Sequence, residues 1–167
     1  MELSIQKANT NYALQFGIVR AFVWQSTYAG KLPKAAIAKQ IDVLWDIAHV
    51  ESYVSQNTVQ VAIVNNAIVG YIAYGSSTSD NFRGMGEIFD IGVIPSYQDK
   101  GIGGLLLETA KEDLKTKGIT KIVAKCPKWS PFVYFFIKNG ASIAKPVSQI
   151  TELMSGEQVV KNILIMQ

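Results

Sequence analysis

The 167-residue chain has one cysteine, Cys126, and one histidine, His49. A single cysteine excludes an internal disulfide, and the two residues together leave too few soft ligands for zinc, so no metal centre is expected. Long apolar runs are also missing. The longest, such as VQVAIV (59–64) and FVYFF (132–136), fall well short of the roughly 18 residues that a membrane span requires. The start, MELSIQKAN, has no basic segment leading into an apolar one, so a soluble, cytoplasmic protein with no membrane partner is expected. Charge of one sign is scarce: the net charge is +3, and only KTKGITKIVAK (115–125) gathers basic residues. Nucleic-acid binding would call for a stronger basic stripe interleaved with aromatics, and no such partner is expected. The basic region marks instead one local patch suited to a small anionic ligand.

What is present is an ordinary globular composition, 49% apolar and 17% charged, which excludes disorder. A chain of this length buries about two-thirds of its unfolded surface. After a first strand, LSIQKA, the spacing of Tyr12, Phe16, Val19 and Val23 predicts a helix from Tyr12 to Tyr28, with Asn9 or Thr10 as cap. Pro33 opens a second helix, expected to run to Ala48 with Ile37, Ile41, Leu44 and Ala48 on one face. From Asn57 the chain turns β-branched, and Asn65-Asn66 between two apolar runs predicts a two-residue hairpin. A strand GEIFDIGVI (86–94) follows. A helix from Gly101 to Lys117 then carries Leu106, Ala110 and Leu114 inward and an Asp113–Lys117 pair outward, and stops at Gly118. A strand KIVAKC, a short helix over about 131–139 and strands over 142–153 and 158–166 complete the order. With no linker and no repeat, residues 1–167 read as a single domain. The class is α/β, with a mixed sheet carrying helices on both faces.

The segment Gln98-Asp99-Lys100-Gly101-Ile102-Gly103-Gly104 stands where a strand hands over to a helix. Glycines admit close ligand approach, and the unpaired N–H groups of a first helical turn attract phosphate. A nucleotide triphosphate loop would place Lys and Ser or Thr after its last glycine, but Gly104 is followed by Leu105 and Leu106. A dinucleotide fingerprint would need glycine where Leu106 stands.

The remaining pattern, Gln/Arg-x-x-Gly-x-Gly/Ala after a strand of the type IGVIP, resembles the motif of the GNAT superfamily of N-acetyltransferases. The resemblance extends through strand, loop, capped helix, strand and short aromatic helix. It implies a strongly twisted sheet of six to seven strands flanked by about four helices, splayed between the strands before and after the helix at 101–117. It also implies acetyl-CoA as cofactor. Ile91, Gly92 and Val93 match the strand backbone that meets the pantetheine arm and the acetyl carbonyl. Gln98, Asp99, Lys100, Gly101, Ile102, Gly103 and Gly104 match the pyrophosphate loop.

For the chemistry, an amine must lose a proton before it attacks, because an alkyl amine with a lysine-like pKa of about 10.4 is mostly protonated at neutral pH. Glu87 opens EIFDIGV, which resembles the family pattern whose glutamate acts as base through water. By two-residue alternation it shares a face with Phe89, Ile91 and Val93, with Asp90 opposite. Glu87 is read as base or amine-binding carboxylate, or else as solvated at the strand's start. The family's proton-donating tyrosine falls on Phe136 when counted back from Gly140, and Tyr134 is the substitute for it, or else packs with its aromatic neighbours. Cys126 and His49 read as packing and surface groups. WQSTYAGKLP (24–33) resembles a small-molecule acetyltransferase signature. Trp24 and Tyr28 could cradle a cationic amine, or form a core or dimer stripe, so a homodimer stays open. The ending ELMSGEQVVKNILIMQ resembles bacterial spermidine/spermine acetyltransferases, with Asp42, Asp46 and Glu51 as carboxylates for a polyamine. The expected function is acetyl transfer to a primary amine of a small, polyamine-like molecule by direct attack in a ternary complex. The alternatives are a peptide N-terminal acetyltransferase and a non-catalytic acyl-CoA sensor.

Overall fold

Hydrophobic alternation and turn chemistry place the strands where the pattern predicts. The computed structural model describes residues 2–153 and 156–167. Strands β1 (Leu3–Lys7), β2 (Thr58–Val64), β3 (Ala67–Ser76), β4 (Gly86–Val93), β5 (Ile122–Pro127), β6 (Ser142–Glu152) and β7 (Gln158–Met166) form one mixed sheet in the order β1-β2-β3-β4-β5-β7-β6. Asn65 and Asn66, both with positive φ (50° and 63°), turn β2 into β3, as an amide side chain permits. Met154 and Ser155, within the ELMSGEQ turn, lie outside the described residues.

Among the described residues five α-helices cover the sheet: α1 (Ala13–Tyr28), α2 (Lys34–Leu44), α3 (Ile47–Gln56), α4 (Ile102–Thr116) and α5 (Phe132–Lys138). The single second helix expected over 33–48 is two. Helix α2 ends at Trp45, and Asp46 caps a new helix by accepting a hydrogen bond from the His49 backbone N–H at 2.9 Å. His49 accordingly stands in the first turn of α3.

Two cores sit on opposite faces of the sheet. Phe16, Val19 and Val23 of α1 and Val50 and Val54 of α3 pack on Val59, Val61, Tyr71 and Ala73. Leu106, Leu107, Ala110 and Leu114 of α4, with Phe136 of α5, pack on Ile72, Tyr74, Ile88 and Leu164. The Asp113–Lys117 pair closes at 2.6 Å on the outer face of α4. Among the described residues no helix is long and apolar enough to cross a membrane.

Phe16 is fully buried and meets the Tyr71 ring edge-on, with centroids 5.2 Å apart, so it anchors α1 over the strands that carry the site. Truncating it leaves a cavity, and Phe16→Ala is expected to lower stability by about 3–5 kcal/mol. Urea unfolding followed by tryptophan fluorescence measures this.

Candidate active site

The site begins with a fault in the sheet. Ala73 pairs with Asp90 but Tyr74 pairs with Ile88, so Phe89 is an extra residue, a β-bulge in β4. The bulge breaks the alternation expected from the sequence. Gly86 and Ile88 face α4, which puts Glu87 on the α1 face. Beyond the bulge Asp90 also faces α1, bonded to Arg20, while Ile91 and Val93 face α4. Glu87 and Asp90 therefore share a face, and Glu87 does not share one with Ile91 and Val93.

Strand β5 stays beside β4 only from Gly86 to Ile88 and then departs. Because Ile94 donates to Val69 on the β3 side (2.8 Å), antiparallel alternation turns the N–H and C=O groups of Ile91 and Val93 to the edge that β5 has left. This unpaired edge opens a cleft of about 750 Å³, lined by Ile91, Gly92, Val93, Gln98, Asp99, Gly101, Ile102, Gly103 and Gly104. Gly101 adopts a left-handed conformation (φ +82°) as N-cap of α4, and no side chain caps the helix, so its first N–H groups face the cleft unanswered. A Cβ on Gly103 would press on the Phe135 ring at 3.1 Å, whereas one on Gly104 would meet nothing closer than 3.7 Å. Gly104 is helical and has room within the chain, so its bare backbone suits a close ligand. Open edge, uncapped helix and bare loop fit a phosphate-bearing cofactor with an extended arm, as coenzyme A requires. Two loop side chains are turned back on the protein. Gln98 Nε2 donates to Val93 O (2.9 Å), and Lys100 Nζ donates to Ser96 O (2.9 Å) and leans on Tyr97.

A second cavity of about 210 Å³ lies under α1 and α2, and it shares Val23, Thr27, Ile91 and Phe132 with the cofactor cleft. Its lining includes Trp24, Tyr28, Gln40, Asp90, Lys125 and Lys161. Arg20, also in the lining, donates through Nε to Asp90 Oδ2 at 2.7 Å and stacks over the Tyr53 ring at 4.0 Å. Burial works against the Arg20 charge, but Asp90 together with the Tyr53 and Tyr71 hydroxyls outweighs it and the Arg20 pKa is raised. Tyr71 donates to the other Asp90 oxygen at 3.2 Å. Burial, with Asp90 second, raises the Tyr28 pKa so that its hydroxyl stays a proton donor at neutral pH.

Glu87 is buried, accepts from Ser77 Oγ at 2.7 Å and pairs with Lys125 Nζ at 2.7 Å. It is neither solvated nor among the residues lining either cavity, but its ion-pair partner Lys125 lines the smaller one. Tyr134 lines the cofactor cleft but is 71% exposed, while Phe136 is buried in the acceptor wall. Trp24 and Tyr28 line the smaller cavity, yet they stack on each other (4.1 Å, 13°), and Trp129 meets Tyr28 at right angles. Their shared faces are closed to a cation. Asp42, Asp46 and Glu51 are exposed and line neither cavity.

The sequence reading passed over Arg20, Lys125, Lys161, Thr27 and Lys138, the last of which lines the cofactor cleft. A signal existed for two of them. Arg20 falls four residues after Phe16 on the core-facing side of α1, and Lys161 alternates with buried Val159 and Ile163.

A sequence model described as the acetyltransferase (GNAT) family matches residues 21–137. No curated protein matches the sequence. Among solved structures, the chain is similar to the PaiA N-acetyltransferase from Thermoplasma acidophilum in complex with coenzyme A. That likeness has a TM-score of 0.80 at 18% identity and covers 100% of this chain and 99% of that one. It is also similar to YncA from Salmonella typhimurium with its cofactor acetyl-CoA (TM-score 0.74, 16% identity, covering 100% and 94%). An N-acetyltransferase from Staphylococcus aureus Mu50 aligns with a TM-score of 0.75 at 15% identity, covering 100% and 99%. At such identities the structural likeness speaks for the fold.

Cys126 lines the acceptor cavity, and burial pushes its thiol up to about 12. The thiolate fraction at pH 8 is then far below that of a free cysteine. A thiol reagent at pH 8 is expected to label the urea-unfolded chain quickly and the folded chain slowly, and Cys126→Ala should retain activity. Rapid labelling of the folded chain in a timed mass-spectrometric assay would contradict the burial argument.

Proposed function

Because the chain belongs to the GNAT family of acetyltransferases, it is an acetyl-CoA-dependent N-acetyltransferase, and we propose that its acceptor is a primary amine of a small molecule bound in the cavity under α1 and α2. The observation that carries the acceptor assignment is the meeting of two clefts at Val23, Thr27, Ile91 and Phe132. The larger suits the cofactor, and the smaller, at about 210 Å³, suits a compact acceptor better than a peptide. Residues 1–167 act in this reading as one acetyltransferase domain.

Acetyl-CoA, when bound, supplies an acyl group activated as a thioester. The chain's residues do the rest. Val93 N–H, directed to the open edge of β4, is the donor available to an acyl oxygen as it gains charge. The uncapped start of α4 and Gly101 to Gly104 hold phosphate, with Lys138 at the cleft wall as an added cation. Asp90 is the carboxylate that lines the acceptor cavity, and its bonds to Arg20 and Tyr71 fix its orientation toward an incoming amine. Glu87, the base expected from the sequence, does not touch the amine in this reading; paired with Lys125 and bonded to Ser77, it holds the Lys125 ammonium at the cavity wall. Thr27 borders both clefts, and Tyr134 stands at the solvent side of the cofactor cleft, where it reaches a departing thiolate only by turning inward. The polyamine subgroup draws support from the carboxy-terminal resemblance but not from the cavity lining, whose one carboxylate is Asp90 among the described residues.

Acetyl-CoA and a panel of amines, with CoA release as the readout, test the activity; no release above background for any amine counts against the proposed acceptor class. A Cβ at Gly104 meets nothing closer than 3.7 Å, so Gly104→Ala should leave the melting temperature no lower than the parent's. The same variant should weaken CoA binding by about tenfold or more by calorimetry. Unaltered CoA affinity would remove the loop from the cofactor site.

A further inference from the structure

The acceptor cavity holds one positive charge in excess. Arg20 is matched by Asp90 and Lys125 by Glu87, each at 2.7 Å. Lys161 of β7, half-buried in the same lining, has no acidic group within 4 Å among the described residues. Burial lowers the pKa of its ammonium from the ordinary lysine value; Cys126 opposes this, Lys125 adds like-charge repulsion, and Asp90 and Glu87 act weakly in the raising direction. Two other lining residues carry a buried polar atom with no partner: Nη1 of Arg20, a donor, and Oε1 of Gln40, an acceptor.

Buried polar groups without partners are costly, and a cavity that leaves them open is complementary to a ligand that supplies the missing halves. A polyamine brings only ammonium groups into a cavity that already has excess positive charge, and leaves Lys161 and Arg20 Nη1 unanswered. A molecule with both an amine and a carboxylate brings an anion to the excess positive charge and a donor for Gln40 Oε1. We propose that the acceptor is an amine bearing a carboxylate, of the amino-acid type, with the carboxylate held by Lys161 and the amine directed to Asp90 and Gln40. This rests on the acetyltransferase reading and names its substrate class. Lys161 is a specificity residue in this arrangement: it binds the anion and takes no part in proton transfer. At about 210 Å³ the cavity has room for an amino acid.

The test compares pairs that differ only by the carboxylate: lysine against 1,5-diaminopentane, and alanine against ethylamine. Each amino acid is expected to show a kcat/KM about 10- to 100-fold above its decarboxylated partner, the difference that a hydrogen bond to a charged group supplies. Lys161→Met should bring that ratio close to one by raising KM for the amino acid, and Lys161→Arg should restore part of it. A ratio near one or below it in the parent protein, with amines acetylated, overturns the inference and leaves the acetyltransferase reading intact. A second readout does not depend on turnover. Titration of the CoA-bound protein with N-acetyllysine and N-acetylalanine should change the fluorescence of Trp24, which lines the cavity, and Lys161→Met should abolish the change. Carboxylate binding without acetylation of any amine would support the anion site while refuting the proposed acceptor reaction. No carboxylate-dependent change in the parent protein would overturn the inference.

Discussion

The parting of β4 from β5 is the constraint on which the molecule's chemistry depends. Within a sheet every strand N–H and C=O is normally consumed by a neighbour, and backbone left without one must find a partner elsewhere. Here β5 pairs with β4 over Gly86–Ile88 and then continues with β7, while β4 keeps β3 as its only neighbour up to Val93. The open edge faces the uncapped start of α4. Two sets of unanswered donors thus line one cleft, and a cofactor with a polar arm and phosphates is the partner they lack.

The bulge at Phe89 does a second job in the same strand. One extra residue brings Glu87 and Asp90 to the α1 face, and from there the two carboxylates organise the charge on that side of the sheet. Asp90 stabilises the buried guanidinium of Arg20, and Glu87 stabilises Lys125. Removing either partner of so buried a pair would strand a charge in low dielectric. What remains exposed to a ligand is the orientation of Asp90 and the unmatched ammonium of Lys161.

Much of the architecture is legible in the chain. Asn65-Asn66, the Leu106/Ala110/Leu114 stripe and Gly118 each carry a local signal strong enough to place a hairpin, a buried helix face and a helix end. The loop from Gln98 to Gly104 is also local chemistry, since glycine placement and helix capping act within a few residues. Illegible parts have a common cause. The break between α2 and α3 turns on the Asp46 side chain capping His49 N–H, a choice an amphipathic period that continues to Ala48 conceals. Period-two reasoning failed at Glu87 because a bulge costs one residue of register and leaves no mark in composition.

The residues alone were enough to specify the glycine loop at the start of α4 and the family it resembles, because those depend on backbone conformation over a handful of neighbours. They could not specify the acceptor site. Arg20, Gln40, Asp90, Lys125 and Lys161 come from five elements spread over more than 140 positions, and whether each charge is neutralised depends on distances across the sheet. Only the folded arrangement shows that Glu87 is spent on Lys125 and that Lys161 has no counterion among the described residues, because electrostatic pairing is a property of separation in space and not of order along the chain.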